Sequence, residues 1–117
     1  MNDYRGRPLI QVEVEERIQG LCDALEELVT TFTSVSHKRA EAEADFKYRY
    51  SRSLIEQATK MPVASKEAVA HLKASEQYRL WKILEAQEKA TQQGLTSIRS
   101  QLDALRTISA NVRAAGG

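Results

Sequence analysis

Metal binding and proton transfer need His, Cys or carboxylate side chains that converge at fixed spacing, and this chain offers two histidines, one cysteine and 16 acids. Neither His37 nor His71 has a Cys or His neighbour at ligand spacing. Carboxylate sites in helical bundles project Glu-x-x-His into the core, and no such tetrapeptide occurs, so Glu13, Glu15, Glu16, Glu26 and Glu27 do not read as a metal site. Cys22 lacks a nearby His to make it a thiolate, has no second Cys to pair with, and stands seven residues from Val29, the spacing of a buried small hydrophobe. Glycine-rich phosphate loops and nucleophile elbows are missing from the sequence. The residues therefore predict a protein that is not an enzyme and holds no cofactor or metal.

Two patches have binding chemistry. In Phe46-Lys47-Tyr48-Arg49-Tyr50-Ser51-Arg52, aromatic and basic side chains alternate; cations of this kind neutralise phosphates while tyrosine faces stack on bases. Against that reading, Glu43 with Lys47 and Asp45 with Arg49 are acid-first i, i+4 pairs, which hold cations on a helix surface. Arg99, Arg106 and Arg113 repeat every seven residues and line one helix edge. The first 29 residues carry seven acids against three bases, and neutralisation of the arginine edge by that segment, within the fold or across a dimer, is the expectation. Lys47, Arg49, Arg52, Arg99, Arg106 and Arg113 are the candidate nucleic-acid contacts.

These patches need helices to carry them. The 117 residues balance 17 Lys+Arg against 16 Asp+Glu, hold 15 Ala, 5 Gly and 2 Pro, and suit a single all-α domain. Residues 1–8 (MNDYRGRP) read as a flexible arm, and Asp3, Arg5 and Arg7 precede any apolar run, so no signal or transit peptide is legible. The longest uncharged stretch, Leu28 to Ser36, is far shorter than the roughly 20 apolar residues of a membrane span. A cytoplasmic protein that does not contact membrane is expected.

Apolar residues recur at Val14, Ile18, Leu21, Leu25, Leu28, Phe32 and Val35, then at Ala42, Phe46, Tyr50 and Leu54, one face of a helix over 9–60. Low helix propensity over 29–37 (VTTFTSVSH) allows a bend there without breaking the phase. Pro62 predicts a turn at 61–65 with Ser65 capping a second helix over 66–113, followed by a frayed tail at 114–117. That helix carries Val69, Leu72, Leu80, Leu84, Ile98, Leu102, Leu105, Ile108 and Val112.

An antiparallel two-helix hairpin centred on residue 63 sets these stripes against each other: Leu54 on Leu72, Phe46 on Leu80, Ala42 on Leu84, Leu21 on Leu105. It also places Phe32 in a notch at Gly94 and makes a polar layer of Arg39 and Gln87. Two helices bury only the seam between them. Cys22, Val29, Ile55, Trp81, Ile83 and Leu95 fall outside it and are the candidate oligomer interface, through which the hairpin forms a homodimeric four-helix bundle or coiled coil.

The chain resembles a group of small helical-hairpin proteins of tailed bacteriophages. The resemblance is carried by Arg39-Ala40-Glu41 followed by Ala42 to Arg52 (AEADFKYRYSR), by Ser65-Lys66-Glu67-Ala68, and by Ile98 to Arg106 (IRSQLDALR) with Asn111-Val112-Arg113. It implies an accessory role of unassigned activity in host cytoplasm, often beside replication or recombination genes, and transfers no residue role. The expected function is a self-associating interaction or adaptor protein that binds a phage or host protein. The alternative is a nucleic-acid-binding accessory factor, with DNA or RNA as partner.

Overall fold

A computed structural model describes residues 10–116; the expected arm at 1–8, the expected helix start at Leu9, and Gly117 lie outside the described residues. The described residues are helical, with α1 at Gln11–Glu56, α2 at Val63–Lys73 and α3 at Ser75–Gly116, and no strand among them. They divide into two compact units. The terminal unit joins the first part of α1, up to Thr30, to α3 from Gln92 onward; the turn unit is Thr31–Thr91.

At the start of α1, the Glu13 carboxylate accepts a hydrogen bond from the Ile10 amide (3.1 Å), which satisfies a donor the helix leaves open. α1 then runs through 29–37 without interruption. Thr30 keeps its hydroxyl satisfied inside the helix by donating to the Glu26 carbonyl (3.2 Å). α1 ends at Glu56, four residues before the expected Lys60, and a turn over residues 57–62 follows, in which the Met61 amide donates to the Ala58 carbonyl.

The cap of α2 is Pro62, not Ser65. Pro62 is extended (φ −57°, ψ 145°) and its carbonyl accepts the first helical bond from Lys66, so Ser65 falls inside the first turn. The second half of the chain, expected as one helix, is interrupted at Ala74, where φ is −102° and ψ is 13°. The interruption is local: Ala74 donates to Ala70 and accepts from Tyr78, so the hydrogen-bond ladder runs on through it. The expected frayed tail is helical to Gly116.

In the terminal unit, Gln11 near the start of α1 reaches Ser109 near the end of α3 (Nε2 to Oγ, 3.0 Å), while Leu28 lies against Gly94. Falling numbers on one helix against rising numbers on the other make the pair antiparallel. Val14, Leu95 and Leu102 form the sealed core here at 0%, 5% and 2% exposure, each contributing about 1.5–3 kcal/mol. Gly94 does provide a notch, but its occupant is Leu28, whose Cδ2 stands 2.9 Å from where a Cβ would project; the expected Phe32 is one turn further along α1.

The turn unit is antiparallel by the same criterion, with Arg39 on Glu88, Phe46 on Tyr78 and Trp81, and Tyr50 on His71. Its core is Ala42, Phe46, Ala70 and Ala74. Phe46 is the hub of an aromatic cluster, with ring centroids 5.7 Å from Tyr50, 5.3 Å from Tyr78 and 5.5 Å from Trp81. Lys82 lays its ammonium 4.6 Å from the Trp81 ring, within cation–π range.

The two helical faces that meet keep a seven-residue period. On α1 they are Gln11, Ile18, Leu25, Phe32, Arg39, Phe46 and Ser53, interleaved with Val14, Leu21, Leu28, Val35 and Ala42. On α2 and α3 they are Ala74, Trp81, Glu88, Leu95, Leu102 and Ser109, interleaved with Ala70, Gln77, Leu84, Thr91, Ile98, Leu105 and Val112. Within the turn unit the heptad passes through Ala74 in phase, the spacing of a coiled-coil seam.

Candidate interaction surface

The seam of α2 and α3 differs from the one expected, and the difference creates an exposed apolar face. Leu72, Leu80 and Ile108 were expected to meet α1; they stand 75%, 52% and 36% exposed. Phe46 packs on Trp81 and Tyr78 in place of Leu80. Trp81 and Leu95, expected as oligomer contacts, belong to the intrachain seam instead: Trp81 is half-buried under Phe46 and Leu95 is sealed.

At roughly 100° per residue, Leu72, Glu76, Arg79 and Ile83 lie along one line of the α2–α3 surface, with Leu80 at its margin. That line is roughly 160° round the helix from Ala70, Ala74, Gln77 and Trp81, on the side away from α1. Glu76, Arg79, Leu80 and Ile83 together border a shallow recess of about 280 Å³. Helix α2–α3 thus has two apolar faces. In the turn unit the face turned to α1 mixes small Ala70 and Ala74 with Gln77, Trp81 and Leu84, and the face turned to solvent carries Leu72, Leu80 and Ile83.

The remaining interface candidates are distributed over α1. Cys22 is half-buried, Val29 is partly exposed, and Ile55 is 83% exposed close to the end of the helix. In the terminal unit a second, mostly apolar groove of about 470 Å³ is bordered by Arg17, Gly20, Leu21, Gln101, Ala104 and Leu105.

The candidate nucleic-acid contacts fall into the two units. Lys47 is held by Glu43 (2.7 Å), as its spacing predicts, and Glu43 also takes Arg39 (2.9 Å). The Lys47 hydrogen bond first, then Arg39, hold the Glu43 carboxyl below its ordinary range against the opposing effect of desolvation. Arg39 continues across the seam to Glu88 (3.2 Å), one residue beyond the expected Gln87, and the polar layer is an ion pair. Arg52 pairs with Glu56 (2.8 Å) and donates to the Tyr48 hydroxyl (3.1 Å). The Glu56 carboxyl is lowered by that Arg52 bond and by the charges of Arg52 and Lys73.

Arg49 opens onto a recess of about 540 Å³ shared with Asp45, Tyr48, Arg52, Ser53, Glu56, Lys73 and Gln77. Lys73, on the opposing helix, is a cation that local motif reading misses; the hairpin register, which sets residue 73 near residue 53, contains the signal. In the terminal unit Arg106 pairs with Asp103 of its own helix (3.5 Å), and Arg99 and Arg113 are exposed.

Among the described residues, no group of three His, Cys, Asp or Glu side chains is placed to hold a metal ion, and no helix is long and apolar enough to cross a membrane. No known protein family, curated protein or solved structure matches the chain.

Proposed function

We propose that this protein is a non-enzymatic helical interaction module that self-associates and acts as an adaptor. The observation that supports it is the outward apolar face at Leu72, Leu80 and Ile83, which α1 does not cover. Isolated exposed leucines need no explanation, but large apolar residues recurring at helical spacing opposite a filled seam mark a contact face. A second helix laid on that face would bury it, in the manner of a four-helix assembly. The phage setting rests on the sequence resemblance of residues 39–52, 65–68, 98–106 and 111–113. Light scattering of the purified protein across micromolar concentrations tests the reading: a dimer is expected, and a monomer at every concentration contradicts it.

A second reading, nucleic-acid binding, is favoured by the recess that gathers Arg49, Arg52 and Lys73 beside the exposed Tyr48. It predicts binding of single-stranded DNA at low salt that weakens steeply as salt rises and is lost in Arg49→Ala/Lys73→Ala. No binding at low salt removes it.

A further inference from the structure

The outer face of α2–α3 is self-complementary, and we infer that its occupant is the same face of a second copy, packed antiparallel about a two-fold axis level with Gln77 and Tyr78. This inference rests on the self-association proposed above and specifies its geometry. The outward residues Leu72, Glu76, Arg79, Ile83, Ala86 and Ala90 are spaced by alternating steps of four and three, which is a second coiled-coil seam on the back of the first. In an antiparallel two-fold pair each contact occurs twice, residue i on j and j on i. Centred between Gln77 and Tyr78, the pairing sets Leu72 against Ile83 of the other copy, Leu80 against Ser75, Val69 against Ala86, and Glu76 against Arg79. Apolar meets apolar or small, and acid meets base.

Two observations fix this arrangement over others. Neither Glu76 nor Arg79 has an ion pair or side-chain hydrogen bond among the described residues, whereas Lys82 three residues further on is held by Glu85 (3.1 Å). They are the unmatched acid and base of the face, and they sit either side of its centre. A parallel pairing in register would instead set Glu76 on Glu76 and Arg79 on Arg79, so charge repulsion selects the antiparallel form. The stretch from Ser65 to Ala90 spans about 39 Å at 1.5 Å per residue, and α1 leaves it open because α1 occupies the opposite side. Small side chains at Ala68, Ala86 and Ala90 let the two helices approach at both ends of the contact.

Charge exchange tests the pairing. Sedimentation equilibrium of Glu76→Arg and of Arg79→Glu, each checked for unchanged helicity, is expected to show dimer affinity at least tenfold weaker than the parent protein. Mixing the two variants in equal amounts matches every charge again, and a heterodimer of near-parental affinity is expected. In a Cys22→Ser background, Leu72→Cys mixed with Ile83→Cys is expected to form a disulfide-linked heterodimer under mild oxidation, faster than either variant links to itself. Variants that dimerise like the parent, or a mixture that fails to recover, overturn the two-fold pairing while leaving self-association standing. A parent protein that is monomeric throughout overturns both, and the face then docks a different partner.

Discussion

Leu102 and Leu72 were equivalent positions in the sequence pattern and occupy opposite environments in the structure, so truncating each to Ala separates the observed seam from the expected one. Leu102 is 2% exposed in the terminal unit. Removing its isobutyl branch to leave a methyl deletes about three carbons, worth about 2.4 kcal/mol at ~0.8 kcal/mol each. A cavity contribution raises the loss to about 2.5–4 kcal/mol, towards the lower end because a seam between two helices can close up. Leu72 is 75% exposed, and Leu and Ala have similar helix propensities, so Leu72→Ala changes the stability of the monomer by less than about 0.5 kcal/mol. The assay is urea unfolding followed by far-UV circular dichroism, at protein concentrations low enough for linkage to self-association to vanish. Equal losses at the two positions, or a larger one at Leu72, would refute the assignment of the seam.

Gly20→Ala is expected to stabilise by about 0.5–1 kcal/mol, since it gains helix propensity and a Cβ there meets nothing within 4 Å. Gly94→Ala should gain less, because Leu28 must swing its Cδ2 methyl away from 2.9 Å; thermal melts that rank Gly94→Ala above Gly20→Ala would contradict the notch. The ordinary value for Glu43 is 4.5 and its folded value is lower, so its contribution is complete above about pH 4.5 and is lost as pH falls through the folded value. Melting temperature followed down from pH 6 should therefore drop more steeply below that point in the parent than in Glu43→Gln. Phe46→Ala removes the hub of the ring cluster, should cost about 3 kcal/mol, and should shift Trp81 emission to the red; unchanged emission would place Trp81 outside the cluster.

Much of the architecture was legible because it rests on features that sequence displays directly. The period of Ile18, Leu21, Leu25 and Leu28 announces the inner face of α1, and Pro62 announces the reversal. The register was nearly right in the turn unit, with Arg39 one residue from its partner, and about one turn off in the terminal unit, where Gly94 takes Leu28 in place of Phe32. The inner face of α2–α3 was legible in part: Leu84, Ile98, Leu102, Leu105 and Val112 belong to both the expected stripe and the observed heptad, whereas Leu72, Leu80 and Ile108 stand exposed, for a physical reason. Large apolar residues dominate any periodicity reading, and here several of them point outward, while Ala70, Ala74, Gln77, Glu88, Thr91 and Ser109 take inward heptad positions among Trp81, Leu84, Leu95 and Leu102. Alanines at the contact let backbones come close, and the Phe46 and Trp81 rings fill what remains of the turn unit. The small and polar positions of such a seam are invisible to hydropathy and emerge only from strict spacing. The same dominance draws Leu72 and Leu80 into the hairpin interior of a periodicity pattern, although both stand on the outer face. Ser65 failed as a cap because the extended Pro62 already presents its carbonyl to Lys66. The recess around Arg49 needed Lys73 from a second helix, which no local motif could supply.

The most direct test of the outward face is sedimentation equilibrium of the parent protein beside Leu72→Gln/Leu80→Gln/Ile83→Gln. The parent should sediment as twice the chain mass and the triple variant as a single chain of unchanged helicity. A triple variant that remains dimeric, or a parent with the mass of one chain throughout, would contradict the account.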